Sequence, residues 1–153
     1  MYSIRQHAAQ LLRQEHGSSI IETAFIVPFM FLLISGAVDF GRAYYTAIEV
    51  SSAAHAGALY GVQNPTDITG METAANNDAP DISGLKSTAT YGCECPDGKS
   101  AVALCGSAPS CSDNYVLYVS VTSTEAFTPI IKYPGIPSSI NLSRTTVMRA
   151  GGD

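Results

Sequence analysis

Charge is scarce in this chain. Asp, Glu, Lys and Arg make up 14% of its 153 residues, against about 25% in average soluble proteins. The basic side is the thinner one: eight Lys+Arg face thirteen Asp+Glu, for a net charge of −5 and a pI near 5.0. That balance lacks the basic patch needed to neutralise a run of phosphates, so no nucleic-acid partner is expected. Histidine is nearly as rare, and only His55 lies beyond residue 16. The sequence has no Gly-rich phosphate loop, no paired-His metal motif and no nucleophile elbow. Acid/base, metal and phosphoryl chemistry therefore have nothing to stand on. Asp39 and His55 do not rescue a triad, because residues sixteen apart on one helix lie about 24 Å from each other. We expect no enzyme, no catalytic residue, no cofactor and no metal. At roughly 100 to 200 residues per domain, the length allows one globular unit and at most one appendage.

What the chain has instead is apolar content, 46% of residues, concentrated near the N-terminus. From Ile20 to Val38 it carries a single charge, Glu22. As a helix these residues span about 28 Å, close to the hydrocarbon thickness of a bilayer. A run apolar on all faces, in a chain too small to surround it, reads as a membrane span rather than a core helix. Pro28 does not overturn this, since membrane helices tolerate proline better than soluble ones. Arg5 and Arg13 precede the run, and Asp39 nearly offsets Arg42 after it. The positive-inside rule then keeps the N-terminus cytoplasmic and exports the chain from about residue 40. Four cysteines in the exported part, Cys93, Cys95, Cys105 and Cys111, agree with an oxidising compartment.

A cleaved secretory signal would use Ser35 and Ala37 as its small residues and start the mature protein at Val38. Glu22 argues against it, because a carboxylate inside the apolar run raises the cost of insertion. The stretch Gly17-Ser18-Ser19-Ile20-Ile21-Glu22 supplies a different reason for that acid. A glycine followed at the fifth position by glutamate, at the mouth of an apolar run, resembles a type IV prepilin processing site. With 13 glycines in the chain, chance alone yields about half such a pair, so the weight of the motif comes from its placement. Glycine before the cut lets backbone lie extended in a protease cleft. Cleavage after Gly17 would remove Arg5 and Arg13 and leave a new amine on Ser18. Glu22 could pair with that amine or with one on a neighbouring subunit.

Glu22, Ala24, Pro28, Gly36, Asp39, Phe40, Gly41 and Arg42 occur in that order, and this part of the chain resembles the TadE family of Flp/Tad pilus pseudopilins. The family pattern is an acid followed by alanine and an apolar run with an internal proline, then Gly, acid, aromatic, Gly-Arg and an alanine-rich helix. The likeness is strong over about 40 residues. The rest matches only through a cysteine-bearing region, a closing strand and the terminal Val-Met-Arg at 147 to 149. Thr23 departs from the aromatic that often follows the glutamate in Flp-type sequences, which points away from a major filament subunit. The resemblance implies a minor pseudopilin, processed by a prepilin peptidase and assisting assembly of an adhesive type IVb pilus. Its implied partners are that peptidase, other pilins and pseudopilins, the Tad inner-membrane assembly platform and membrane lipid. The implied location is the bacterial inner membrane, single-pass, with the C-terminal domain periplasmic. The rival readings are a permanently anchored periplasmic interaction domain, never cleaved, and a small domain released by signal peptidase. The three differ in their mature N-termini: Ser18, Met1 and Val38.

Beyond the bilayer the helix is expected to continue to about Tyr60, since no proline interrupts it before Pro65. Phe40, Ala43, Ala47, Val50, Ala54, Gly57 and Gly61 form a narrow seam of mostly small residues. Asp39, Arg42, Thr46, Glu49, Ser52 and His55 make a polar stripe beside it. A short helix over residues 67–77, capped by Thr66, should follow. Two strands around Asp97-Gly98 read as a hairpin, the run 115–124 as the clearest strand, and 141–148 as a last strand after a turn at 134–137. The cysteine spacing C-x-C-x9-C-x5-C favours two disulfides over zinc. Bonding Cys93 to Cys95 is sterically awkward, which leaves Cys93–Cys105 with Cys95–Cys111, or Cys93–Cys111 with Cys95–Cys105. Residues 65 to 115 hold seven acids against Lys86 and Lys99, which reads as a solvated surface. The fold class is α+β and pilin-like, a long N-terminal helix packed on a small disulfide-bonded antiparallel sheet. The expected organisation is a leader at 1–17, a transmembrane half-helix at 18–38, an exported half at 39–62 and an exported α+β domain at 63–153.

Overall fold

The computed structural model describes residues 16–95, 101–102, 115–132 and 134–150. Helix α1, His16–Gln63, runs unbroken for 48 residues with Pro28 inside it. It stops where the sequence stops it. The Asn64 N–H still reaches the Tyr60 carbonyl at 3.1 Å, but Pro65 has no N–H to continue the ladder. The chain divides into two compact units, with the boundary between Phe40 and Gly41.

The second unit holds the rest of α1, helix α2 (Ile68–Asp78) and strands β1 (Lys86–Glu94), β2 (Ala101–Val102), β3 (Val116–Phe127) and β4 (Ile140–Ala150). The sheet order is β2-β1-β3-β4, every neighbouring pair is antiparallel, and β2 is a two-residue stub beside three full strands. β1 lies on β3 from Lys86↔Thr124 to Glu94↔Val116, and β4 lies on β3 from Leu117↔Ala150 to Phe127↔Ile140. The expected hairpin is present in its pairing, Cys93↔Val102 and Glu94↔Ala101; its Asp97-Gly98 turn lies outside the described residues. The turn at 134–137 contains Gly135 at φ 85°, a left-handed conformation open to glycine at no steric cost.

Alternation along β3 decides which face is buried. Val119, Val121 and Ser123 are buried, while Thr122 and Thr124 on the other face form hydroxyl pairs with Thr145 (2.7 Å) and Ser143 (3.0 Å) of β4. Such cross-strand pairs stabilise the outer face of a half-solvated sheet. The inner face packs on helices through small residues. Ala58, Met71, Ala75, Ala89, Val119 and Val121 form one cluster. A Cβ at Gly57 would lie 2.8 Å from the Met71 carbonyl oxygen and 3.0 Å from Val121 Cγ1. One at Gly61 would collide with the Met71 thioether and lie 3.1 Å from Val119 Cγ2. Glycine at these two positions lets α1 approach both α2 and β3. Glu72 fastens α2 to the sheet by accepting the Ala89 N–H at 3.1 Å.

Three expectations need correction. The seam of small residues is real from Val50 to Gly61, but Ala53 and Ala58 belong to it, and Phe40 at its start is 76% exposed. A pattern read at 3.5 residues per turn drifts about 20° per heptad on a straight helix, so Phe40 has rotated away from Gly61. Asp39, assigned to the polar stripe, is only 6% exposed. The cap of α2 is Asp67 rather than Thr66, its carboxylate accepting the Gly70 N–H at 2.9 Å. A carboxylate takes the second or third amide of a helix as readily as a hydroxyl does.

Candidate functional site on the N-terminal helix

The motif residues are strung along α1. Every side chain from Ser19 to Ile34 is exposed, and an 18-residue window there reaches a mean hydropathy of 2.0 with none of it buried. The polar groups in this stretch bond within the helix: Thr23 Oγ1 donates to the Ser19 carbonyl at 2.8 Å and Ser35 Oγ to the Leu32 carbonyl at 2.9 Å. Internal satisfaction of this kind suits hydrocarbon, where no water is present to accept the proton. Pro28 cannot donate to the Ala24 carbonyl, and with Ser19, Ile20, Thr23, Ala24 and Val27 it lines a shallow open groove on the helix flank. Glu22 stands exposed between Ile21 and Phe25, the only charge from Ser19 to Val38. Gly17 and Ser18, the residues flanking the expected cut, fall in the first turn of α1.

Towards the end of the motif the environment changes. Gly36 is half-buried and Asp39 buried, whereas a side chain at Gly41 would meet nothing within 4 Å among the described residues. The Arg42 guanidinium stands over the Phe127 ring, 5.5 Å from its centroid, a cation–π contact between α1 just past its apolar run and the end of β3. Sequence reasoning missed Phe127, because a partner so far along the chain leaves no local signal. One turn further on, the negative charge of Glu49 holds the Tyr45 phenol above its ordinary value, helped by partial desolvation and by Asp81.

At the far end of α1, the Tyr60 hydroxyl donates to Asp67 Oδ2 at 2.8 Å. With the Gly70 amide on the other oxygen, this holds the Asp67 carboxyl below its ordinary 3.8, the amide bond contributing most. The bond to Asp67 raises the Tyr60 phenol. A carboxyl whose folded pKa lies below its unfolded one stabilises the fold above the unfolded value and loses that contribution as pH falls through the folded value. Asp67→Asn should therefore lower stability at neutral pH, with the gap to the parent closing as pH falls through the lowered folded value of the Asp67 carboxyl. Urea unfolding at a series of pH values reads this, and a gap unchanged by acid would disprove it.

Cys93 and Cys95 are both buried, and no cysteine among the described residues is free; Cys105 and Cys111 lie outside them. No group of His, Cys, Asp and Glu among the described residues is arranged to hold a metal ion. His55, on the polar stripe, is exposed.

One helix long and apolar enough to cross a membrane, continuing into an α+β unit, fits a membrane-anchored protein with a small mixed domain. Residues 17–59 match the family of TadE-like proteins, the family whose pattern Glu22 to Arg42 follow. The match covers α1 almost to its end and leaves the sheet outside. No curated protein and no solved structure matches the chain.

Proposed function

We propose that this chain is a minor pseudopilin of a Flp/Tad-type pilus, a structural and non-catalytic part inserted with its N-terminus in the cytoplasm. A prepilin peptidase severs it after Gly17, and the exposed helix then takes its place among other pilins on the inner-membrane assembly platform, with the α+β unit in the periplasm. The observation that carries this reading is the family match beginning at Gly17 on a fully exposed apolar helix whose one charge is Glu22. In this reading disulfides staple the exported unit: Cys93 and Cys95 are each bonded, and Cys105 and Cys111, outside the described residues, are their partners in one of the two cross-pairings. Each bridge closes a loop of roughly 10 to 20 residues, worth about 3 kcal/mol in the chain-entropy model.

The test is the N-terminal sequence and intact mass of protein recovered from membranes, with and without reduction. We expect a start at Ser18 and a mass that rises by four hydrogens on reduction. A start at Met1 would make it a permanently anchored periplasmic domain, and a start at Val38 a released one; either result removes the pseudopilin reading.

A further inference from the structure

We infer that the β3–β4 loop, through its described residues 128–132 and 134–139, is a second membrane contact, docked on the lipid headgroups of the leaflet from which α1 emerges. The inference rests on α1 being a membrane span, and not on cleavage or a pilus role.

The direction of β3 relative to the exported half-helix fixes which end of the domain carries this loop. Gly61 abuts Val119 and Gly57 abuts Val121, and Arg42 lies over Phe127. Each step towards the end of β3 is a step back along α1 towards its apolar run. The two rises agree: from Gly57 to Arg42 the helix covers about 22 Å, and from Val121 to Phe127 the strand covers about 20 Å. Phe127 is the last residue of β3, so the loop leaves the sheet beside Arg42. Arg42 follows Val38, the end of the apolar run, by four residues, about 6 Å of helix. The headgroup zone is about 5 to 8 Å deep on each side of the hydrocarbon.

The loop has the composition this position calls for. Its isoleucines stand out from the surface, Ile130 at 67%, Ile131 at 41% and Ile136 at 50%, followed by Ile140 at 40%. From Ala126 to Ser143 there is no acid, and the one charge is Lys132, in a chain with a net charge of −5. Lys86 and Arg144 occupy the same end of the sheet, paired in register with Thr124 and Ser123. Glu125, next to Thr124 on β3, is half-buried, and the Glu49 and Asp81 carboxylates act on Tyr45. An apolar tip that carries Lys132, with Lys86 and Arg144 at the same end of the sheet, fits an anionic lipid surface, where apolar side chains enter the acyl boundary and cations stay at the phosphates.

The chain contains no tryptophan, so one substitution introduces a unique fluorophore. Full-length Ile131→Trp, Phe31→Trp and Tyr115→Trp are reconstituted in vesicles of phosphatidylethanolamine and phosphatidylglycerol, with and without lipid brominated on the upper acyl carbons. Phe31 lies within the apolar run, and Tyr115 just precedes β3 at the opposite end of the sheet. We expect Ile131→Trp to emit at shorter wavelength and lose about half its intensity to brominated lipid, as a side chain at the acyl boundary does, while Tyr115→Trp is unaffected. Quenching of Phe31→Trp with a water-exposed, unquenched Ile131→Trp would overturn the loop contact and leave the span standing. Equal quenching at Ile131→Trp and Tyr115→Trp would show unspecific adsorption and overturn it too. An unquenched Phe31→Trp removes the span and the loop contact together. A shift of Ile131→Trp seen only on adding a partner protein assigns the loop to that protein instead of lipid.

Discussion

Gly57→Val is expected to cost the α+β unit about 3 kcal/mol, the upper end of what overpacking a tight core costs, and to lower its midpoint of thermal unfolding by about 10 °C. The reason is which atom stands in the way. A side chain at Gly57 meets the Met71 backbone carbonyl at 2.8 Å, with Ala75 Cβ and Val121 Cγ1 each at 3.0 Å. None of these can turn aside, so α2 must move or α1 must leave the sheet. Gly61 is the contrast. Its nearest obstacle is the thioether of Met71, the mobile part of a flexible side chain. Gly61→Ala should cost much less than Gly57→Ala, because alanine recovers about 1 kcal/mol of helix propensity at both positions while only Gly57 presses on backbone. Thermal unfolding of the three variants in detergent, followed by circular dichroism in the sheet region, gives the ranking. Equal effects of the two alanines would mean that α1 does not sit on α2 as closely as described.

The small residues on α1 signal close packing from the sequence alone, because Ala and Gly spaced at intervals of three and four let a helix approach another backbone. What they approach is not legible there. Gly57 and Gly61 meet Met71 through a reversal at Asn64-Pro65, and Val119 and Val121 through a contact some sixty residues away in the chain. Periodicity records which face of a helix is apolar but not its neighbour. The strand at Val116–Phe127 is readable from its β-branched alternation, and the antiparallel sheet follows from the turn residues. The site divides in the same way. The motif from Glu22 to Arg42 is local and linear, so sequence carries it whole, whereas the Arg42–Phe127 contact and the burial of Asp39 depend on where tertiary packing brings other groups. Asp39 is the instructive case: helical spacing puts it with Arg42 and Glu49, yet its surroundings are those of a buried residue.

Glu22→Ala is expected to leave the protein in the membrane and abolish its entry into a pilus-assembly complex. In the proposed mature chain, the Ser18 amine and the Glu22 carboxylate both lie at the apolar mouth of α1, where water is scarce. An ion pair there is weakly stabilising against an apolar replacement, but removing one partner strands the other charge at a cost of about 3 to 5 kcal/mol. That is a factor of about 10² to 4 × 10³ in an assembly equilibrium. Insertion should be unaffected, because replacing a carboxylate by alanine lowers the transfer cost of the segment. The two readouts therefore move apart: membrane fractionation gives normal levels of Glu22→Ala, while surface pili recovered by shearing fall to background. Glu22→Gln separates charge from shape. It keeps the side chain's length and hydrogen-bonding oxygen but cannot neutralise the amine, so it should resemble alanine. Glu22→Asp keeps the charge on a shorter stem and should retain part of the function. Normal piliation in Glu22→Ala, with the mature N-terminus at Ser18, would show that the carboxylate does not pair in assembly. Loss of cleavage in the same variant would place its role at the peptidase instead, which is why the N-terminal sequence must be read beside the pilus yield.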